Sequence, residues 1–257
     1  MDISNGNWTS LIYRNHKSSD FGIYIRWPFT LTHAIPDYNK SHINGRNGDF
    51  IQDEGSYQNV TETFDIIAFK PSKYPSQFEY EAAITQWLQG NDYDYLKVEK
   101  FSSYVFEAIV DSSYTLNWDE NDPNQATGQL IFDCKPFYKR TDGIYYQPLP
   151  QSQEVYNTEK VPAIPDWHFV CKGDFTLTVN EFPYEFNGIT GDIWLDGDGN
   201  ARSVQNGDYT TLLNSHILLA NNTAPYIGPK SNNTIAITSG AENVTKAEYR
   251  PNWGRLI

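Results

Sequence analysis

The sequence predicts a mainly β protein, and three observations support this fold class. The 257 residues include 18 Tyr, 14 Phe and 7 Trp but a single Met. Aromatic and β-branched side chains fit the pleated, half-buried surface of a sheet. The chain also carries 17 Gly and 14 Pro, which together with frequent Asn and Asp supply turns between short strands. Several segments alternate apolar and polar residues with a period of two, as strands with one buried face do.

In the first half of the chain the clearest predicted strand covers residues 60–69. It places one set of side chains on an apolar face and another on a polar face, namely Val60, Phe64, Ile66 and Ala68 against Thr61, Thr63 and Asp65. The same alternation predicts four further strands, at residues 21–27, 104–110, 114–118 and 130–134.

One segment departs from this period and predicts a helix over residues 76–89. Its apolar residues recur at helical spacing, at Tyr80, Ala83, Ile84, Trp87 and Leu88. Ser76 followed by Glu79 is a capping-box pattern, and Gly90 stands where a helix C-terminus favours glycine. We expect the helix to lie across a sheet with Trp87 and Leu88 inward. Burial of each such side chain contributes about 1.5–3 kcal/mol.

The polar segment 35–57 predicts an extended arm or hairpin rather than a helix. Its turn signals are three residue pairs ending in glycine, Asn44-Gly45, Asn47-Gly48 and Glu54-Gly55. Such an arm has little to bury by itself, so it either stays mobile or lies on a partner chain. We favour the partner chain, while a mobile hairpin tip is the alternative. The residues expected near that contact are Gly45, Arg46, Gly48 and Asp49.

A change in composition after residue 137 predicts a domain boundary. Residues 137–167 are rich in Tyr, Gln and Pro and show little sustained alternation. We therefore divide the chain into domains 1–140 and 141–257. The second domain contains five further strand patterns, at 175–179, 191–195, 210–219, 234–238 and 243–249. Short strands separated by regular turns are typical of a sandwich or jelly roll.

Charge and hydropathy exclude several classes of partner. The formal net charge is −13, and phosphate binding needs clustered Lys and Arg, so neither nucleic acid nor an anionic membrane is expected. No segment approaches the roughly 20 apolar residues that span a bilayer, and residues 1–10 lack a signal-peptide pattern. Synthesis in a cytoplasm is therefore expected. Cys134 and Cys171 have no CxxC partner and are predicted to be free buried thiols.

No motif in the sequence predicts an enzyme, a metal or a cofactor. The run from Asp196 to Asn200 imitates the start of a calcium loop, but Ala201 and Gly207 stand where that loop needs Gly and Glu. A tight hairpin is the favoured interpretation, and adventitious calcium is the alternative. The five histidines have no metal-ligand spacing, and no nucleophile elbow, P-loop or dinucleotide turn is present. Acid pairs such as Asp92 and Asp94 are expected on a solvated surface.

Aromatic residues offer one further functional interpretation. Exposed Trp and Tyr side chains stack on sugar rings in carbohydrate-binding sandwiches, although core or interface packing is the more frequent fate of a Trp. Trp194 lies on the face opposite to Ile193 and Leu195, so it is either exposed or covered on both faces. The candidates for sugar stacking are Trp194, Trp167, Tyr226 and Trp253.

The order of several sequence blocks resembles the distal tail proteins of long-tailed siphophages. The blocks are INGRNGD at 43–49, DEGSY at 53–57, ITQWL at 84–88, FEAI at 106–109, LIFDCKP at 130–136 and RPNW at 250–253. They cover nearly the whole chain. The resemblance implies an N-terminal β-sandwich-like domain with one helix and an extended arm, followed by a C-terminal galectin-like β-sandwich.

The resemblance also implies a function. Distal tail proteins are structural virion proteins that form a hexameric hub at the tail tip or baseplate. In that role the chain would meet other copies of itself, the major tail tube protein, a tail-associated fibre or lysin protein, and receptor-binding proteins during host adsorption. Relatives that bind host saccharide carry large inserted modules, and this chain has no room for one. The resemblance therefore favours a scaffold, with a carbohydrate-binding β-sandwich module as the alternative.

Overall fold

The computed structural model describes residues 6–205 and 208–256 and shows a mainly β protein, as predicted. The chain forms two compact units. The first comprises Met1–Tyr138 with Leu256–Ile257, and the second comprises Lys139–Arg255. Each unit has its own hydrophobic core.

The first part of the chain supplies twelve strands and one α-helix among the described residues. They are β1 (Trp8–Thr9), β2 (Leu11–Tyr13), β3 (His16–Lys17), β4 (Ile23–Arg26), β5 (Pro36–His42), β6 (Asp49–Tyr57), β7 (Val60–Phe69), α1 (Gln77–Leu88), β8 (Asp94–Val98), β9 (Tyr104–Ile109), β10 (Leu116–Trp118), β11 (Gln125–Cys134) and β12 (Phe137–Arg140). Short 3-10 turns lie at Ser18–Phe21 and Glu99–Phe101.

The first unit is built around the antiparallel pair of β7 and β11. Ten residue pairs join them, from Val60 opposite Cys134 to Phe69 opposite Gln125. The strand order is β1-β4-β7-β11-β9-β8-β2-β3, with β10 paired to β11. Strands near both ends of this order contribute to one core, because Ile25 on β4 and Leu11 on β2 are buried in the same cluster. The sheet therefore folds over on itself like a sandwich.

Strand β7 confirms the predicted alternation. Val60, Phe64, Ile66 and Ala68 are buried, whereas Thr61, Thr63 and Asp65 are exposed. Two residues of this strand depart from the simple pattern. Glu62 is buried among the apolar residues, and Ile67 is buried on the opposite face. The remaining predicted strands of this half are present with shifted ends, and β11 begins five residues earlier, at Gln125.

The predicted helix is confirmed, together with its N-terminal cap and its buried stripe. The Ser76 hydroxyl accepts a hydrogen bond from the backbone N–H of Glu79 (3.2 Å). Trp87 stacks on Phe21 with ring centroids 4.7 Å apart, and its indole N–H donates to the carbonyl of Tyr13 (2.9 Å). The buried residues of the helix are Tyr80, Ile84, Trp87 and Leu88.

Gly90 directly follows the C-cap residue of the helix, as predicted, but its φ is not positive. The helix ends at Leu88, and Gln89 already has extended backbone angles (φ −67°, ψ 143°). A Cβ at Gly90 would lie 1.8 Å from the guanidinium of Arg14. The Arg14 side chain passes close to the backbone here and donates to the carbonyl of Asp92 (2.7 Å).

The second part of the chain continues with strands β13 to β24. They are β13 (Gln147–Pro148), β14 (Ser152–Tyr156), β15 (Asp166–Lys172), β16 (Phe175–Val179), β17 (Phe182–Phe186), β18 (Thr190–Leu195), β19 (Ala201–Gln205), β20 (Asp208–Leu212), β21 (Ile217–Leu218), β22 (Asn232–Ser239), β23 (Val244–Arg250) and β24 (Gly254–Leu256). Short 3-10 segments lie at Thr141–Gly143, Asn214–His216, Ala220–Asn222 and Ala241–Asn243.

Two antiparallel sheets share the core of the second unit. One has the order β13-β23-β15-β18-β19-β20 and the other β14-β22-β16-β17-β21. Trp167 and Phe169 of the first sheet pack in one cluster with Phe175 and Phe186 of the second. Two sheets with facing apolar sides define a β-sandwich.

Two sequence predictions for this unit are corrected. The segment 137–167, expected to lack sustained strands, contains β14 and the start of β15, the strand between β23 and β18. The predicted single strand 210–219 is two strands in different sheets, β20 and β21. The break falls at Asn214, whose side-chain oxygen accepts a hydrogen bond from the N–H of Ala201 (2.8 Å) while the chain turns through Asn214–His216. Apolar spacing alone does not reveal such a change of sheet.

Candidate functional site

The predicted arm is a hairpin that forms a sheet of its own. Strands β5 and β6 pair only with each other among the described strands, and nearly every residue in them is exposed. A two-stranded hairpin without a packed face is marginally stable in water at best. The hairpin is therefore the element of the first unit with the most to gain from contact with another surface.

Both faces of the hairpin carry large apolar side chains. Ile51 lies opposite Lys40 and is 59% exposed, whereas Phe50 lies opposite Ser41 and is 48% exposed. Because successive side chains point to opposite faces of a strand, these two residues face in opposite directions. On the Ile51 face, the Lys40 ammonium lies 5.2 Å from the centre of the Tyr38 ring. A partner could therefore gain apolar contact on either face.

The four residues predicted near a partner contact lie together at the hairpin end. Gly45 and Gly48 have φ angles of +84° and +82°, a conformation that disfavours other residues. The N–H of Arg46 donates to the carbonyl of Ile43 (3.1 Å), and Asp49 begins β6 with its carboxylate 3.5 Å from the His42 ring. All four are exposed. Their role in a contact stays a prediction.

The third predicted turn in the arm, at Glu54-Gly55, is a bulge within β6. Pro36 pairs with Tyr57 but Tyr38 pairs with Asp53, so β6 carries extra residues at this point. The Asp53 carboxylate accepts a hydrogen bond from the N–H of Gly55 (2.9 Å), and Gly55 has a φ of +72°. A glycine next to an acidic residue is typical of a bulge as well as of a turn. The sequence pattern alone therefore does not distinguish a bulge from a turn at this point.

A buried carboxyl group fastens the segment that leads into the arm to the first core, and sequence reasoning missed it. Glu62 is 0% exposed. Its Oε1 accepts hydrogen bonds from the N–H of Thr32 (3.0 Å) and the hydroxyl of Tyr138 (2.7 Å), while Oε2 has no partner. Burial is the main cause that raises the pKa of Glu62. The bond to Thr32 holds the segment that leads into β5, and Glu62 lies on the strand that follows β6.

A second cluster lies on the outer face of the six-stranded sheet in the second unit. His168 on β15 is directly opposite Trp194 on β18 and Glu248 on β23. Its two ring nitrogens lie 2.5 Å from the Asp192 carboxylate and 3.0 Å from the Glu248 carboxylate. The hydrogen bond to His168 is the largest cause that lowers the pKa of Glu248. The histidine is 4% exposed.

The indole of Trp194 rests on this histidine and borders a small pocket. The two rings are nearly parallel, with centroids 4.0 Å apart. Tyr146 meets Trp194 edge-on, at 4.9 Å and 84°. The pocket has a volume of about 180 Å³. Its lining consists of Tyr146, Asp166, Trp194, Leu195, Asp196, Asn200, Arg202 and Arg250.

The other predicted aromatic sites differ in exposure. Trp167 is completely buried and Trp253 is nearly so, which leaves neither ring available for stacking on a sugar. Tyr226 is 41% exposed, and Trp194 is partly buried. Of the four candidates, only Trp194 lines the pocket described above.

The acidic motif at Asp196 forms the predicted hairpin loop between β18 and β19. Asp196 Oδ1 accepts hydrogen bonds from the N–H groups of Asp198 (3.0 Å) and Asn200 (2.8 Å). Leu195 pairs with Ala201 across the loop. Gly207, which stands where a calcium loop would need Glu, lies outside the described residues. The carboxylate of Asp196 therefore stabilises the loop in which it lies.

The remaining candidates are surface groups or buried thiols. Asp92 is exposed and Asp94 is half-buried, with the latter accepting a hydrogen bond from the N–H of Tyr95 (2.7 Å). Cys134 and Cys171 are free and buried, as predicted. Across residues 6–205 and 208–256, no three His, Cys, Asp or Glu side chains are grouped so as to hold a metal ion. In the same part of the chain no helix is long and apolar enough to cross a membrane.

The two sandwich-like units and the exposed hairpin define the class of protein, a two-unit β chain with an unpartnered arm. Neither a family model nor a curated protein matches the sequence. Solved structures do match. The crystal structure of phage SPP1 Dit (gp 19.1), described as a paradigm of hub adsorption apparatus in phages that infect Gram-positive hosts, aligns with a TM-score of 0.60 and 16% identity. The alignment covers 94% of this chain and 96% of that one.

Two structures of the phage P2 baseplate in its activated conformation, with Ca and with Sr, are also similar. Their TM-scores are 0.56 and 0.55, each at 8% identity, and each alignment covers 94% of this chain and 96% of the other. The chain therefore shares its fold with phage tail hub and baseplate proteins over nearly its full length. At these identities the likeness concerns the fold.

Proposed function

We propose that this chain is a structural protein of a siphophage tail tip, a distal tail protein that forms the hub of the adsorption apparatus. It acts as a scaffold and not as an enzyme. The fold shared with SPP1 Dit and the phage P2 baseplate supports this role. The observation that carries it is the hairpin β5–β6, which exposes apolar side chains on both faces within a fold otherwise used for hubs.

The hub assembles as a six-fold ring in which the hairpin of one copy lies on the next copy. In a closed head-to-tail ring each subunit presents two different surfaces, one that gives and one that receives. Gly45, Arg46, Gly48 and Asp49 at the hairpin end lie near that contact. The ring connects the tail tube with the tail-associated fibre or lysin protein and with receptor-binding proteins, and it resides in the virion after synthesis in the host cytoplasm. The C-terminal unit is the galectin-like domain of this architecture.

The native mass of the purified protein tests the ring. Six copies of a 29.5 kDa chain give 6 × 29.5 = 177 kDa. Light scattering over a range of concentrations and salts should show this species, either alone or after addition of the tube and fibre proteins from the same phage. A variant in which residues 37–56 are replaced by a short turn should remain a folded monomer.

One result would contradict the hub role, and another would contradict only the proposed hairpin contact. The first is a monomer under all conditions, including those with the tail partners present. The second is a ring that forms equally well without the hairpin, which would leave the hub role intact but place the contact elsewhere.

A further inference from the structure

The outer face of the second unit holds an aromatic side chain in a fixed orientation. The imidazole of His168 is placed between the carboxylates of Asp192 and Glu248 and covers one face of the Trp194 indole. The His168 side chain is 5% exposed, whereas the side chains of Asp192 and Glu248 are 43% and 23% exposed. The two contacts hold the imidazole in place against the indole and so fix the plane of Trp194.

The pocket meets indole surface that the histidine leaves uncovered. Trp194 borders the pocket, whereas His168 does not. Tyr146 stands almost perpendicular to the indole and forms a second aromatic wall. The guanidinium of Arg250 lies 5.3 Å from the centre of the Tyr146 ring and is bonded to Asp166, so this wall is also held in place. The two aromatic rings form a rigid corner.

The polar lining combines acceptors with donors. The carboxylates of Asp166 and Asp196 already accept hydrogen bonds from Arg250 and from the Asp196 loop, and a ligand hydroxyl would share them as acceptors. Arg202 and Arg250 bring guanidinium N–H groups to the same lining. Two negative and two positive side chains balance, so a charged ligand would meet like charge as well as opposite charge. Hydroxyl groups suit this lining, because each can donate to a carboxylate and accept from a guanidinium.

The size of the pocket limits the ligand to a single ring. Its volume of about 180 Å³ is below the 300–1,000 Å³ typical of sites for drug-sized ligands. A pyranose combines the required features, since its hydroxyl groups point outward and its C–H faces pack on the electron-rich faces of aromatic rings.

We propose that the pocket between Tyr146 and Trp194 binds one neutral hexopyranose ring. The saccharide site goes beyond the proposed hub role and does not depend on it, because all of its residues belong to the second unit. It also needs no inserted sugar-binding module, since the sandwich itself supplies the pocket.

Fluorine NMR of the full chain labelled with 5-fluorotryptophan tests the site. The Trp194→Phe variant identifies the Trp194 signal among those of the 7 Trp residues. The probes are glucose, galactose, N-acetylglucosamine and N-acetylgalactosamine, with acyclic sorbitol as a control. At least one sugar should move the Trp194 signal along a saturable curve, and sorbitol should not.

Two variants and a matched control locate the binding. Trp194→Ala and Arg202→Ala should each weaken binding measured by calorimetry, the former by about tenfold or more, equivalent to about 1.4 kcal/mol. Tyr226→Ala removes an exposed aromatic that does not line the pocket and should leave affinity unchanged. Arg202 is an exposed residue, so its variant tests the site even if Trp194→Ala unfolds the second unit.

The proposal is overturned if no sugar gives a saturable shift of the Trp194 signal, or if Tyr226→Ala weakens binding as much as Arg202→Ala does. Failure here is distinct from failure of the hub role. Light scattering of the Arg202→Ala variant should show the same assembly as the unsubstituted chain, whatever its sugar affinity.

Discussion

Helix α1 and hairpin β5–β6 both belong to the first unit, but they differ in the exposure of their apolar side chains. The helix buries Tyr80, Ile84, Trp87 and Leu88 in the core. The hairpin leaves Phe50 and Ile51 about half exposed. The hydrophobic gain scales with the area removed from water, so the helix already has its stabilisation within one chain and the hairpin does not.

The contrast separates two kinds of sequence signal. Apolar residues at helical spacing beside a cap predict an element that stabilises its own unit. Apolar residues scattered among Gly, Asp and Asn on a hairpin predict an element whose stabilisation comes from another surface. Substitutions in the two elements should therefore have opposite consequences, affecting unfolding in one case and assembly in the other.

The largest effect is expected at Trp87. Trp87→Ala should lower the free energy of unfolding of the first unit by about 3–5 kcal/mol, because it removes a buried ring and leaves a cavity. Its stacking on Phe21 and its hydrogen bond to Tyr13 are lost as well. Chemical denaturation followed by circular dichroism measures the change.

The matched control lies on the same helix. Phe78 is 79% exposed, so Phe78→Ala should change the unfolding free energy by no more than about 0.5 kcal/mol. Equal effects of the two substitutions would show that the helix does not bury the Trp87 side of its surface.

A smaller effect, visible in the pH dependence, is expected at Glu62. Its pKa in the folded chain is raised above the ordinary value of 4.5, mainly by burial, so the folded state holds this proton more tightly than the unfolded state. The associated stability is fully present below pH 4.5 and is lost as the pH rises through the folded pKa. Glu62→Gln removes this titration.

The melting temperature of the first unit, measured over a pH series, should therefore fall less steeply above pH 4.5 in Glu62→Gln than in the unsubstituted chain. Glu79→Gln removes the same charge from an exposed helical position and should leave the slope unchanged. Identical slopes in all three proteins would argue against a titrating carboxyl group at position 62.

The smallest effect on stability is expected in the hairpin. Ile51→Ser should change the unfolding free energy of the monomer by less than about 0.5 kcal/mol, because the side chain is already 59% exposed. The same substitution should reduce the amount of ring seen by light scattering. Phe50→Ser, on the other face, shows by comparison which face the neighbouring copy covers.

The sequence predicted the elements whose signals are local. The alternation in β7, the stripe and the Ser76 cap of α1, and the glycine turns at the hairpin end all depend on residues within a few positions of one another. Local periodicity reports which face of an element is apolar, so these features could be read directly.

The sequence did not predict features that depend on distant pairing. In the alternating pattern of β7, Glu62 occupies a core position although it is acidic. Its hydrogen-bond partners Thr32 and Tyr138 lie 30 and 76 residues away in the sequence. Strand β15 was missed because both of its faces are covered, with Trp167 and Phe169 buried on one face and His168 buried on the other. His168 lies 24 residues from Asp192 and 80 from Glu248, so no short motif connects them.

The sequence by itself thus determined the β class, the single α-helix of the described residues and the exposed arm. The tertiary structure decided which strands pair, where the chain changes sheet after β20, and which polar groups are buried together. The physical reason is that side-chain periodicity is set by the geometry of one element. Strand register and the burial of polar groups depend on elements brought together from distant parts of the chain. The contacts that stabilise them form only after those elements have packed.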